Sequence, residues 1–169
     1  MTFSPRTWVV GEIVTDAMLN VEIRDQFNSM FDAWTTYTPT FVSTGTAPVL
    51  GNGTLTGRYM KWGRTVMVFA QFTAGSTTTF GSGNLSIGLP VAGSAGSTPG
   101  LLDLQCSRTG SVNFAVGRCT LPSGATTTGT CWWPSVSTIG DWDAWTATVP
   151  WTLAAADIVR VYGVYQSAT

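Results

Sequence analysis

The side chains that could do chemistry in this 169-residue chain are few, and most are aromatic. Asp141-Trp142-Asp143 is the only close acidic pair after Asp32. On an extended strand its two carboxylates would share a face about 7 Å apart, a separation that glycosidases use. The preceding Ile139-Gly140 argues instead for a loop, where the pair is solvated or meets a cation. Trp132, Trp133, Trp142, Trp145 and Trp151 crowd into twenty residues. Bulky rings mostly fill a core or a subunit interface. Beside carboxylates they can also stack on a sugar while the acid holds its hydroxyls. Because Asp141 and Asp143 flank this stretch, Trp142 and Trp145 are expected to be its exposed pair. Asp141, Trp142, Asp143 and Trp145 are therefore the contact candidates, with a glycan as the ligand.

Other chemistry is poorly supplied. The chain has no His, which removes His-based triads, His-bearing zinc sites and His general bases. Ser123-Gly124 and Gly81-Ser82-Gly83 look like nucleophile turns but lack a standard base and the surrounding elbow pattern. Gly51, Gly53 and Gly57 lack the strand, loop and helix of a phosphate cradle. Cys106, Cys119 and Cys131 stand 13 and 12 residues apart, too far for a close metal-ligand pair. One disulfide with one free thiol, or three thiols kept reduced, both fit; three thiols is the plainer expectation. No catalytic residue, cofactor or metal ligand is expected, and the chain is not read as an enzyme.

Charge narrows the partners. The net charge is -1 and the eight basic residues are spread along the chain, unlike a nucleic-acid groove. No run of 18 apolar residues could span a bilayer, and Met1 to Val10 lacks the apolar stretch of a signal peptide. Strand alternation could serve a porin-like barrel, but a sandwich or an oligomer interface explains charge-poor Thr/Gly strands as well. Neither nucleic acid nor membrane is expected as a partner. The sequons at Asn52-Gly53-Thr54 and Asn84-Leu85-Ser86 carry little weight without a secretory signal.

The elements that must position these residues fall into two parts, an arm at residues 1–36 and a β body at residues 37–169. Five of the nine acids lie between Glu12 and Asp32, whereas no charged residue occurs between Thr65 and Leu102. After an extended start, Thr15 or Asp16 can cap a helix over Ala17 to Trp34. Leu19, Ile23, Phe27, Met30 and Trp34 recur at steps of four, four, three and four, a stripe widened by Phe31. A helix of about 18 residues is marginal alone, so the stripe must meet its own body, sister subunits or a socket in another protein. Trp8 and the stripe are the anchoring and oligomerisation candidates.

In the body, short alternating runs between turn residues predict eight or nine strands. They are Thr54–Met60, Thr65–Thr73, Asn84–Leu89, Leu101–Ser107, Ser111–Leu121, Gly129–Trp133 and Ile158–Tyr165, with Thr146–Trp151 as one more. Asn52-Gly53 and Lys61-Trp62-Gly63-Arg64 read as tight turns, and Ala92–Gly100 as a loop. The expected fold is mainly β: an antiparallel, jelly-roll-like β-sandwich carrying an N-terminal helical arm. Thr65–Thr73 has apolar residues on both faces. Val66, Val68, Ala70 and Phe72 suit the core, while Met67 and Phe69 need separate cover, as a subunit interface would give.

Several segments together resemble a family. Thr7-Trp8-Val9-Val10-Gly11-Glu12-Ile13-Val14-Thr15-Asp16-Ala17-Met18-Leu19-Asn20 with Ile23-Arg24-Asp25 is one. Leu50-Gly51-Asn52-Gly53-Thr54-Leu55-Thr56-Gly57-Arg58-Tyr59-Met60 with Gly63-Arg64-Thr65-Val66 is another. Ala74 to Gly83, Leu89-Pro90, Ala156-Asp157-Ile158 and Tyr162-Gly163-Val164-Tyr165 complete the pattern. They resemble small structural proteins of tailed bacteriophages that infect actinobacteria, proteins labelled minor tail protein, tail fibre or structural protein. The resemblance implies a virion component, a homotrimer whose arm attaches to other virion proteins and whose β body is displayed. A tail-associated fibre or host-attachment protein is the first reading. A capsid decoration protein or head fibre is the second, and a freestanding carbohydrate-binding module the third.

Overall fold

The computed structural model describes residues 6–31, 34–95, 101–110 and 112–168. The side chains of residues 29–31, with the expected stripe residues Met30 and Phe31 among them, also fall outside the described set. Part of the expected Ala92–Gly100 loop lies outside it too.

The arm starts as its cap predicts. Thr15 Oγ1 accepts from the Met18 backbone N–H at 3.3 Å, and the Thr15 N–H faces Met18 Sδ at 3.5 Å, closing a capping box. The helix is not one continuous element. α1 (Asp16–Leu19) passes through a π turn, Asn20–Arg24, into α2 (Asp25–Phe31). The Asp25 N–H reaches the Asn20 carbonyl, five residues back. A π turn takes in one more residue than an α turn, so α2 is rotated by about 100° relative to α1. The turn holds the β-branched Val21 and Ile23, which crowd an ordinary helical turn. The regular stripe expected over Ala17 to Trp34 is thus interrupted, and Trp34 stands beyond the helix. No described residue of α1 or the π turn is buried.

The body is mainly antiparallel β-sheet in two sheets. The larger has eight strands in the order β1-β3-β4-β10-β6-β7-β8-β9. These are β1 (Thr35–Tyr37), β3 (Thr54–Trp62), β4 (Thr65–Thr73), β6 (Leu101–Ser107), β7 (Phe114–Thr120), β8 (Cys131–Pro134), β9 (Trp142–Ala144) and β10 (Ile158–Gln166). The smaller pairs β2 (Phe41–Ser43) with β5 (Leu85–Ile87). β3 and β4 form a hairpin in full register, from Thr54↔Thr73 to Trp62↔Thr65. Its two-residue loop begins at Gly63 with φ +54°, a conformation that a Cβ would strain.

Alternation explains the core. The inner face of the large sheet buries Val66, Val68, Ala70 and Phe72 on β4, Val159 and Val161 on β10, and Leu102, Leu104 and Cys106 on β6. The small sheet covers them with Leu85 and Ile87, and Phe41 lies 4.7 Å from Phe72 between ring centres. Each large apolar side chain taken from water contributes about 1.5–3 kcal/mol. One layer of the sandwich is therefore broad, and its opposite face carries the remaining side chains.

Several local expectations change. Thr146–Trp151 is not a strand but a tight reversal, with Thr146 bridged to Val149 and a cis Val149–Pro150 peptide. Conversely, Trp142–Ala144, expected in a loop, is strand β9, because it pairs with β8 from Trp132↔Ala144 to Pro134↔Trp142. At Leu50–Gly53 it is Gly51, not Gly53, that takes positive φ. Asn52 instead fastens a neighbouring loop: its Oδ1 accepts from the Thr77 N–H at 3.0 Å and its Nδ2 donates to Ser76 Oγ at 3.0 Å.

Candidate functional site: a tryptophan platform at one sheet edge

The outer face of the large sheet is assembled by register. Phe69 lies beside Tyr162, Tyr162 beside Asp103, Asp103 beside Arg118, and Arg118 beside Trp132. Neighbours on one strand point to opposite sides. Trp133 therefore enters the core, where it is fully buried, and Trp132 faces out. β9 adds Trp142 on the same outer side, 47% exposed, two residues from the partner of Trp132.

Together Leu101, Arg118, Trp132, Asp141 and Trp142 line an open concavity of about 430 Å³. Arg118 Nη1 lies 2.8 Å from Asp103 Oδ1, so the guanidinium is oriented while more than half of its side chain stays exposed. Asp141 Oδ1 accepts from the Trp142 backbone N–H at 2.8 Å, fixing the carboxylate at the rim. The β8–β9 loop carries Val136 and Ile139, both almost fully exposed and outside that lining. Indole faces, a fork of N–H donors and carboxylate acceptors can grip a ring that is apolar on one side and rich in hydroxyls at its edge.

Two elements hold the platform. β7 and β8 pair at Arg118↔Trp132 and Cys119↔Cys131, continued where Thr120 bonds to Thr130 and Gly129, and the second register pair is a disulfide with its Cα atoms 3.9 Å apart. This overturns the plainer expectation of three thiols; strand register sets the two cysteines face to face. Cys106 alone remains a thiol, buried, and burial pushes its pKa up to about 12, assisted by the nearby Asp157 charge. The second support is Gly117. A Cβ there would run into the Trp132 carbonyl oxygen and stand 2.9 Å from Trp133 Cε3, so only glycine lets β8 approach.

The four receptor-contact candidates separate. Trp142 and Asp141 line the concavity. Asp143 pairs opposite Trp133 in register and is half-buried, and it is not part of that lining. Trp145, expected to be exposed, is completely buried. Its ring stacks on Phe41 at 6.0 Å, and its backbone N–H donates to the Cys131 carbonyl at 2.7 Å. The acids beside it in sequence mark a rim, whereas strand pairing turns Trp145 inward. Trp132, Arg118 and Leu101 were missed. For Trp132 a signal existed: two adjacent tryptophans on one strand cannot both face the core.

Met67 and Phe69 lie on the outer face, half-buried. With Trp34, Arg58, Arg160 and Tyr162 they line a second groove of about 420 Å³. In the arm, Trp8, Leu19, Ile23 and Phe27 are all exposed. The Arg6 guanidinium lies 5.3 Å over the Trp8 ring and pairs with Glu12. Among the described residues no group of His, Cys, Asp and Glu could hold a metal ion, and no helix is long and apolar enough to cross a membrane.

Set against family models, curated proteins and solved structures, the chain gives no match.

Proposed function

We propose that this chain is a structural protein of a phage virion: a tail-associated fibre or host-attachment protein, displayed as a homotrimer and working by attachment rather than catalysis. The observation that carries the reading is the placement of its two candidate contact regions. The arm enters the large sheet through β1, at one edge; the tryptophan platform occupies β8 and β9, at the other. In the sheet order six strands stand between β1 and β9. One end is thus free to be held by other virion proteins through Trp8, Leu19, Ile23 and Phe27 while the other meets a host-surface glycan. The disulfide supports a protein that works outside a reducing compartment. The resemblance of the arm and of β3–β4 to phage structural proteins gives the particle as the setting. A capsid decoration protein or head fibre would use the same exposed arm, and the chain's position on the particle separates the two.

The test is binding of the fluorescently labelled chain to intact actinobacterial cells. Trp132→Ala with Trp142→Ala should reduce binding at least tenfold, on the order of 1.4 kcal/mol. Unchanged binding by the double variant would refute the platform as the contact.

A further inference from the structure

The second groove and the arm complement each other in charge and apolar character. The groove floor is apolar, with Met67, Phe69, Tyr162 and Val164 on adjacent strands β4 and β10. Two cations frame it. Arg58 lies 5.4 Å from the Trp34 ring centre and 5.1 Å from that of Phe69. Arg160 donates from Nε to Gln71 Oε1 at 2.9 Å and from Nη1 to Gln105 Oε1 at 3.3 Å. Both are held by neutral groups. Among the described residues neither has a carboxylate within ion-pair distance.

The arm supplies the complement. Residues 1–36 carry five carboxylates against two arginines, net -3, and residues 37–169 carry six basic residues against four acids, net +2. In the helical segment Leu19, Ile23 and Phe27 are exposed, and Glu22 and Asp25 lie beside them in sequence; Glu22 Oε2 accepts from the Arg6 N–H at 3.2 Å and Asp25 pairs with Arg24 at 2.8 Å, exposed contacts that docking would exchange. A chain that leaves an acidic helical segment with exposed apolar residues and a basic apolar groove has two surfaces of complementary chemistry. Its own arm already contributes Trp34 as a groove wall, so the floor stays open to a helix from elsewhere.

We infer that this groove seats the N-terminal helix of a second copy of the chain. Apolar residues of the incoming helix cover Met67, Phe69 and Val164, and Glu22 and Asp25 neutralise Arg58 and Arg160. Opposite potentials fix orientation and suppress wrong partners. Each copy offers one helix and one groove, so the contact is head-to-tail, and a ring of three closes it without leaving either surface bare. The inference rests on the reading that the chain assembles with itself and adds where the contact lies.

Light scattering of the full chain tests it. The unaltered chain should give a multiple of 17.9 kDa. Arg58→Glu with Arg160→Glu, and separately Glu22→Lys with Asp25→Lys, should each give monomer. Mixing the two variants should restore association to at least the dimer, because an acidic helix then finds a basic groove and a basic helix an acidic one; a ring of three cannot alternate the two variants, so a closed trimer is not expected from the mixture. As a second measurement that needs no charge reversal, chains carrying Ile23→Cys and Val164→Cys, mixed under mild oxidation, should form a covalent pair. Assembly that survives both charge variants, with no covalent pair formed, overturns this contact and leaves self-assembly standing. A monomeric unaltered chain overturns both. Charge variants that stay monomeric but change shape, with no covalent pair, place the helix in its own groove and overturn the contact between copies.

Discussion

Removing the Cys119–Cys131 disulfide should destabilise the protein and loosen the tryptophan platform in particular. The bond closes a loop of sequence separation 12. In the chain-entropy account, freeing a loop of this length costs about 3 kcal/mol through the unfolded state. For a chain of this size that lowers the melting temperature by roughly 6–12 °C. The local effect should exceed the global one, because β7 and β8 share two register pairs, continued by the Thr120 bonds to Thr130 and Gly129, and the disulfide is one of those pairs. Within the sheet β9 pairs with β8, so Trp142 moves with it, while Trp145 just beyond is also bonded to Leu85 of β5. Calorimetry of Cys119→Ser with Cys131→Ser, beside the unaltered chain with and without reductant, reads the first effect. Amide exchange over residues 131–144 reads the second. A melting temperature unmoved by reductant, or exchange that rises evenly over the whole body, would refute the reasoning.

Two further outcomes come from burial. Trp145→Ala should cost about 3–5 kcal/mol in urea unfolding, as a buried large ring does, whereas Trp142→Ala should leave the midpoint almost unchanged. Equal effects would contradict the assignment of one to the core and the other to the surface. Alkali should destabilise the fold through three groups. Burial raises the Tyr37 pKa and pushes Tyr165 and Cys106 each to about 12. Their neutral forms are favoured in the native state, so this contribution is complete below their ordinary values of 9.0 for the thiol and 10.0 for the phenols, and is lost as pH rises to about 12. Denaturant midpoints across that window should fall. Cys106 should also resist alkylation in the native protein near pH 8, about where a free thiol begins to react; rapid native labelling would contradict its burial.

Much of the β body could be read before the structure because its signals are local. β4 and β6 have the expected bounds, since alternation and a flanking turn define them, and β10 extends one residue further. β1 and β2 went unread: three residues each are too few to show a period. The π turn was not legible either, as nothing in the Leu19-to-Trp34 spacing marks an extra residue. The site was read in part. Trp142 and Asp141 stand where a tryptophan beside acids suggests. Trp145 does not, because burial is decided by which strand it follows rather than by its neighbours in sequence. Likewise, a spacing of 12 between cysteines says little until β7 and β8 set Cys119 opposite Cys131. Arg118 joins the platform only through pairing across two strands, information that no window of sequence contains.

The central claim is that this chain is held on a virion by its arm and displays its far sheet edge. Immunogold labelling of intact phage particles with antibody against residues 101–168 tests it most directly. The account predicts gold on the particles, at the tail for the fibre reading and over the head for the decoration reading. Particles that carry no gold, with the chain recovered only in the soluble fraction of the lysate, would contradict it.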